Sequence, residues 1–526
     1  MATINDLPLE IFRMILNLTR PLALFEKPST KNTPLSLTEV SRRWRQMTLA
    51  CPELWTSLEA VIEMDSPDYT KQIEQWLRRS HPFPLSLRLI IEGDEDTDEY
   101  NEQVGHGVFN VFQAFRARWR NIYIQWAPGH EIPFAEIEGD SSAPLLTSVI
   151  LRTQVPDFVS FSDQWSKLSD GSPSLTDFLW SDPEMELPDF DFSKLRLDQK
   201  ALTHLELDVP MSVLQGLEVL SKYPDLIFFS FRVANAPGPE LLDEKREVVD
   251  HRSLRTLRVV GSRNVSYFLD TVAMPRLMDV YIDYDEPVST AGWEGDHRFD
   301  PDSFINFIQS IHLKSLYLRI PVNFNEETCI NMLGELPMSI EHLHFENLDL
   351  RAPGCIGTDF FRLMVSPRVP SYEVEPPDWL LFPYLRCLSL IAVTCKAEPG
   401  IIIRMIDSRG HFLHSGGAAD FRKDQDIEIQ AFPEHHTKDF IELQRRAKFR
   451  PDLYSFTILR RPGVNYNGPE VRRRIVEMCK RDYFDWAKDE KRNALSNKGW
   501  KPKSIPVSPS LPSDYWSREG RFCLRD

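Results

Sequence analysis

A six-residue pattern, apolar-x-x-apolar-x-apolar, recurs along this chain and constrains its fold more than any other feature. Its ten copies begin at Trp119, Leu146, Leu175, Leu202, Leu226, Leu254, Leu277, Leu313, Ile340 and Leu385. Most of the nine intervals between them, 27, 29, 27, 24, 28, 23, 36, 27 and 45 residues, lie near the period of about 20–29 residues of one class of repeat proteins. So short a unit buries its apolar face only against its neighbours. The pattern therefore predicts stacked units, each with one strand.

The residues before the first copy fit the same organisation. A helix is predicted over Ser66–Ser80, with Ile73, Trp76 and Leu77 on one face, and a strand over Pro84–Leu89. The predicted fold class is α/β, with a short all-helical N-terminal unit followed by an irregular repeat solenoid. The predicted boundaries are 1–62 for the helical unit, 63–395 for the repeats, 396–500 for a C-terminal capping region and 501–526 for a tail.

The first helix of the N-terminal unit is predicted over Leu7–Leu18, and it is apolar on two sides. One side carries Leu7, Ile11, Met14, Ile15 and Leu18, and the other carries Leu9, Phe12 and Leu16. A helix with two apolar sides must be buried on both. Either part of this surface belongs to a partner protein, or all of it packs on the rest of the chain, and composition and spacing do not separate the two.

A second helix is predicted to begin at Ser36, because Ser36 and Glu39 have the spacing of a capping box. Leu37, Val40, Trp44 and Met47 then follow at helical spacing and are predicted to form one apolar stripe. The unit closes at Cys51–Trp55, with another large aromatic residue.

Three segments in this order resemble the F-box family. They are Leu7-Pro8-Leu9-Glu10-Ile11, Val40-Ser41-Arg42-Arg43-Trp44 and Pro52-Glu53-Leu54-Trp55. The spacer Thr19–Pro34 is longer than in compact F-boxes, and the match covers about a tenth of the chain. The repeats are similar to the irregular leucine-rich repeats that follow F-boxes in many fungal proteins.

The resemblance implies a non-catalytic subunit that binds the Skp adaptor of Skp–cullin–F-box ubiquitin ligases, and through it a cullin, while the repeats hold a protein substrate. The implied adaptor-binding residues are Leu7, Pro8, Ile11, Ile15, Val40, Trp44, Leu54 and Trp55. Some of these residues could instead form the core of the F-box, which the sequence leaves open. Two other functions also stay open: a scaffold that binds the adaptor without a cullin, and a repeat-type interaction protein without a ligase role.

The substrate surface is predicted from residues that flank the apolar strand positions. Tyrosine and arginine are common anchors of interfaces, and Arg258, Tyr281, Tyr317 and Arg319 occupy such flanking positions. We expect these four residues to form the centre of the substrate patch. The alternative is an ordinary mixed polar surface.

Charge and motifs limit the other possibilities. The net charge is −17, with −27 on residues 63–437 and +9 on residues 438–526. Nucleic acid is therefore an unfavourable partner, and the basic end is expected to dock on the acidic body.

The sequence favours a cytoplasmic or nuclear protein, because it has seven scattered cysteines without a C-x-x-C motif and no signal-peptide or membrane-span pattern. No catalytic, phosphate-binding or metal-binding motif occurs, so no cofactor or metal is expected.

Overall fold

The structure is a computed structural model, and it describes residues 8–19, 24–63, 68–92, 99–126, 142–152, 165, 171–182, 201–233, 248–261, 265–284, 299–320, 326–347, 356–365, 382, 385, 387–391, 395–396 and 429–430. By its contacts the chain divides into Met1–Arg460 and Arg461–Asp526, and every described residue lies in the first unit. The described helices are α1 (Leu9–Leu18), α2 (Leu35–Val40), α3 (Arg42–Leu49), α4 (Thr70–Arg79), α5 (Glu99–Ala114), α6 (Val213–Lys222), α7 (Val265–Asp270), α8 (Pro301–Ile308), α9 (Glu326–Gly334) and α10 (Thr358–Leu363).

The described strands are β1 (Ser57–Ile62), β2 (Leu85–Ile91), β3 (Trp119–Gln125), β4 (Ser148–Arg152), β5 (Asp177–Ser181), β6 (His204–Met211), β7 (Phe228–Val233), β8 (Val249–Asp250), β9 (Thr256–Gly261), β10 (Val272–Ala273), β11 (Asp279–Asp283), β12 (Ser315–Ile320), β13 (His342–Asn347), β14 (Ile356–Gly357), β15 (Cys387–Ile391), β16 (Cys395–Lys396) and β17 (Ile429–Gln430). In the described chain, thirteen of them form one parallel sheet in chain order, β1-β2-β3-β4-β5-β6-β7-β9-β11-β12-β13-β15-β17. The predicted α/β class is confirmed.

The apolar pattern sets the register of this sheet. The second apolar residues of successive copies pair directly: Ile122 with Val149, Val149 with Phe178, Phe178 with Leu205, Leu205 with Phe229, Phe229 with Leu257, Leu257 with Val280, Val280 with Leu316, Leu316 with Leu343 and Leu343 with Leu388. In the nine copies from Trp119 to Phe345, all three apolar residues are buried. Because side chains alternate along a strand, this register places every copy on the same face of the sheet, the core face.

The first apolar residue of a copy lies in a turn just before the strand. The N–H of Leu146, for example, donates to the carbonyl of Ala143, and the N–H of Leu175 donates to that of Ser172. The next residue then bonds to its equivalent in the preceding unit, as from Thr176 to Thr147 at 2.9 Å. The six-residue pattern therefore corresponds to a turn followed by a strand, which fits its three-then-two spacing.

The sheet begins earlier than the sequence analysis predicted. Strand β1 follows a 3-10 turn at Pro52–Trp55 and pairs in parallel with β2, with Leu58 opposite Leu87. It lies inside the predicted helical segment 1–62. The missed signal is an eleventh copy of the pattern, formed by Trp55, Leu58 and Ala60, whose last residue is the small alanine.

The N-terminal helices and the sheet share one hydrophobic core. Phe12 and Leu16 of α1 belong to the same buried cluster as the strand residues. Trp55 packs edge-to-face on Trp76 of α4, with ring centroids 4.7 Å apart. The indole of Trp55 donates to the carbonyl of Thr48, and that of Trp76 donates to the carbonyl of Ser57. The first bond joins α3 to the turn before β1, and the second joins α4 directly to β1.

The predicted helix from Ser36 is wrong in two respects. Its first turn begins at Leu35 after Pro34, without a side-chain capping bond, so Ser36 and Glu39 form no capping box. The helix also breaks at Ser41, whose backbone is extended (φ −163°, ψ 170°) and whose hydroxyl accepts from the N–H of Trp44 to begin α3. Because of the break, the residues predicted to form one stripe do not share one environment.

The long spacer between the first two helices lies on the free edge of β1. The N–H of Glu59 donates to the carbonyl of Glu26 at 2.8 Å, and the hydroxyl of Ser57 donates to the carbonyl of Leu24. Phe25 also packs on Tyr123 of β3. An unpaired edge strand exposes backbone groups to other chains, so this spacer protects the beginning of the sheet.

The helix predicted at Ser66–Ser80 is present as α4 from Thr70 to Arg79, with Ile73, Trp76 and Leu77 buried, and Ser66 and Pro67 lie outside the described residues. Apart from Lys396 of β16 and strand β17, the predicted capping region 396–500 and the tail 501–526 lie outside the described residues, as does Leu7. Among the helices that the structure describes, none is long and apolar enough to cross a membrane.

Candidate functional site

One side of α1 is apolar and open to solvent. Ile11, Met14 and Leu18 follow at helical spacing and are 44%, 62% and 84% exposed. The opposite side, with Phe12 and Leu16, is fully buried in the core. Of the two apolar sides predicted from the sequence, the side with Phe12 and Leu16 is therefore buried. Within the described chain, the side with Ile11, Met14 and Leu18 is exposed to solvent.

Val40, the last residue of α2, is also apolar and 60% exposed. We call the exposed apolar residues of these two helices, Ile11, Met14 and Leu18 of α1 and Val40 of α2, the helical apolar surface. Apolar side chains exposed at helical spacing along one side of a helix, as on α1, are typical of protein interaction sites.

The structure divides the implied adaptor-binding residues into three groups. Pro8, Ile11 and Val40 are exposed. Ile15 and Trp44 are half-buried, and the ring of Trp44 packs edge-to-face on Phe12, with centroids 4.8 Å apart.

Leu54 and Trp55 belong to the core and are almost completely inaccessible. The guanidinium of Arg79 covers the Trp55 ring at 4.8 Å. The sequence left open whether these residues contact the adaptor or form the core of the F-box-like segment. In the structure Leu54 and Trp55 both lie in the core.

The second candidate surface is the outer face of the sheet, opposite the core face. One row of residues crosses it in register, with one residue from each of the eleven strands from β1 to β13: Glu59, Arg88, Tyr123, Ile150, Leu179, Glu206, Ser230, Arg258, Tyr281, Tyr317 and His344. Three of the four predicted substrate residues belong to this row, and Arg319 lies two residues beyond Tyr317 on β12. The structure thus brings the predicted set together on three neighbouring strands, β9, β11 and β12.

Aromatic rings stack at the centre of this set. The centroids of Tyr281 and Tyr317 are 6.0 Å apart, and those of Tyr317 and His344 are 4.1 Å apart with nearly parallel planes. We call these three residues the aromatic row. The two tyrosines are half-buried, whereas His344 is buried. Stacked rings resist rotation and form a rigid surface.

Ion pairs surround the aromatic row. Arg319 pairs with Asp283 at 3.1 Å. Arg258 pairs with Glu206 at 3.3 Å and reaches over the strand of the small, buried Ser230.

Nearer the start of the sheet, the outer face is different. Ile90, Tyr123, Ile150 and Leu179 form a separate buried cluster, against which Phe25 and Val61 pack. Because these side chains are buried, they offer little surface to a partner. Beyond this cluster, the row continues with polar and aromatic residues from Glu206 of β6 onward.

The described residues offer no candidate metal site. They contain no group of three or more histidine, cysteine or acidic residues that could hold a metal ion. Burial and a hydrogen bond to Glu53 raise the pKa of the buried Cys51 thiol to about 11, so it remains protonated at neutral pH.

Comparisons with known proteins add little. No known protein family matches the chain, and no curated protein matches it. A crystal structure of a Bacteroides fragilis protein is similar at 13% identity and a TM-score of 0.29, over 52% of this chain and 67% of that one. A TM-score this low supports no argument about fold or function.

Sequence reasoning missed part of each surface. Met14 and Leu18 share the exposed side of α1 with Ile11 but do not belong to the implied adaptor-binding set. Their spacing of three and four residues from Ile11 was the signal that could have identified them. The stacking of His344 on Tyr317 depends on the register of β12 and β13, and equal positions in two repeat copies were its only signal.

Proposed function

We propose that this protein is the substrate-recognition subunit of a Skp–cullin–F-box ubiquitin ligase. The helical apolar surface would bind the Skp adaptor, and the outer face of the sheet would hold a protein substrate. The observation that carries the proposal is the exposure of Ile11 and Val40, which belong to the F-box-like segments. The protein itself would perform no chemistry, since it would raise the local concentration of substrate near the ubiquitin-loaded enzyme.

We also propose that the sheet and its connections are a leucine-rich-repeat solenoid of irregular type. Three features support this interpretation: the chain order of the parallel strands, the register of the apolar copies, and the turn before each strand. In such an array each unit is stabilised mainly by its neighbours, which leaves the outer face available for recognition.

The test is co-purification of the double variant Ile11→Asp, Val40→Asp with the Skp adaptor. Both side chains are largely exposed, so the fold should tolerate the charges, whereas an apolar interface should not. We expect adaptor recovery to fall by at least about thirtyfold, with an unchanged circular dichroism spectrum and melting temperature.

The matched control is Val248→Asp, because Val248 is 57% exposed and lies just before β8, outside the F-box-like segments. This variant should bind the adaptor like the wild type. Wild-type recovery with the double variant would contradict the proposal. The wild-type protein separates the alternatives. If it recovers the adaptor without a cullin, the result supports the scaffold alternative, and if it recovers neither, the result supports a plain interaction protein.

A further inference from the structure

We propose that the aromatic row and Asp279 recognise an extended, basic segment of a partner protein, with arginine as its anchor. This inference rests on the proposed role as a substrate receptor and names the chemical class of the substrate. Its basis is the balance of charge on the outer face from β6 to β13.

The arginines of this face are already neutralised. Arg232 pairs with Asp208 at 2.8 Å, Arg258 with Glu206 and Arg319 with Asp283. An acidic or phosphorylated ligand would have to break at least one of these pairs. Such a ligand would also approach a body that carries −27 over residues 63–437, which slows the association of anions.

Asp279 differs from these carboxylates. It lies two residues before Tyr281 on the same strand, and therefore on the same face, beside the aromatic row. Its side chain accepts a hydrogen bond from the hydroxyl of Thr256 at 3.3 Å. Within the described residues no basic side chain forms an ion pair with Asp279, so its charge is available to a cationic partner.

Arginine fits this combination better than other side chains. Its planar guanidinium binds a carboxylate through two N–H groups and also stacks on aromatic rings. Tyr281 provides the ring, because Tyr317 is stacked between His344 and Tyr281, and Asp279 and Asp283 lie on either side of Tyr281 along β11. From β7 to β13 the face spans five strands, about 19 Å at the usual strand spacing, which corresponds to about six extended residues.

The test uses the full-length protein and fluorescein-labelled nonapeptides of alternating arginine and serine, with glutamate–serine and glutamine–serine peptides for comparison. Binding is followed by fluorescence anisotropy at about 0.15 M salt. We expect the arginine peptide to bind at least about tenfold more tightly than the other two. Tyr281→Ala should weaken its binding by about thirtyfold, and Asp279→Asn by about three- to tenfold.

Asp177→Asn is the matched control for Asp279→Asn. The two aspartates occupy the same position in the register of the sheet, on β5 and β11, and each accepts a hydrogen bond from a threonine hydroxyl. Both variants remove one negative charge while keeping the shape of the side chain. Only Asp279→Asn should weaken binding of the arginine peptide.

Three outcomes would overturn the proposal: equal weakening by both variants, which would indicate attraction to the acidic body as a whole; preference for the glutamate peptide; or no binding of the arginine peptide. None of these outcomes would affect the adaptor assay. Wild-type adaptor recovery by the Ile11→Asp, Val40→Asp variant, which would contradict the proposed function, would in turn leave the peptide measurements unchanged. The two proposals can therefore fail separately.

Discussion

Deleting residues 1–60 is expected to destabilise the whole beginning of the sheet rather than to remove an independent adaptor module. The deletion takes away Ser57–Ala60, most of strand β1, together with the buried side chains of Phe12, Leu16 and Trp55. Truncating one buried aromatic side chain typically costs about 3–5 kcal/mol, and here several are lost at once. Strand β2 would become an unprotected edge, and Trp76 would lose the ring that covers it.

Size-exclusion chromatography and thermal unfolding measure this effect. The truncated chain should aggregate or unfold at a much lower temperature than the full chain. A monodisperse truncated protein that melts within a few degrees of the wild type would show that the N-terminal helices and β1 are not integral to the sheet. Because the Ile11→Asp, Val40→Asp variant leaves the core intact, it separates adaptor binding from folding, which the truncation does not.

Gly261→Ala is expected to lower the free energy of unfolding by about 2–4 kcal/mol. Gly261 ends β9 with φ +143°, a conformation that alanine rarely adopts. A Cβ atom there would lie 2.4 Å from the carbonyl oxygen of Val233, its partner on β7. The contact is with backbone at the paired ends of β7 and β9, so relieving it requires moving the main chain rather than a side chain. Equilibrium unfolding in urea, followed by circular dichroism, measures the loss.

Gly107→Ala is the control for this substitution. Gly107 lies inside helix α5, and its added Cβ would meet only the side chain of Thr70, at 3.2 Å. Alanine is favoured over glycine within helices by about 0.5–1 kcal/mol, so this variant should be as stable as the wild type or slightly more stable. Equal stability of the two variants would mean that the positive φ at Gly261 imposes no requirement for glycine.

The sequence does not distinguish the exposed from the buried members of the implied adaptor-binding set. Ile11 and Trp55 both match the F-box pattern, yet Ile11 is exposed and Trp55 is completely buried. Motif membership does not separate them, because apolar residues serve both cores and interfaces. Burial depends on α4, whose Trp76 and Arg79 cover Trp55 from outside the motif.

The sequence alone determined the order and register of the sheet. Each copy of the apolar pattern must bury the same positions against the next copy, and a shift by one residue would move every apolar side chain to the outer face. Phe178, Leu205 and Phe229 therefore align as their spacing predicted.

Only the tertiary structure decided which of two apolar sides of α1 is covered, that the helix breaks at Ser41, and that the spacer around Glu26 protects β1. These features depend on contacts between segments that are not related by the repeat. A local pattern specifies that a side chain is apolar, but the neighbour that covers it is set by how the whole chain packs.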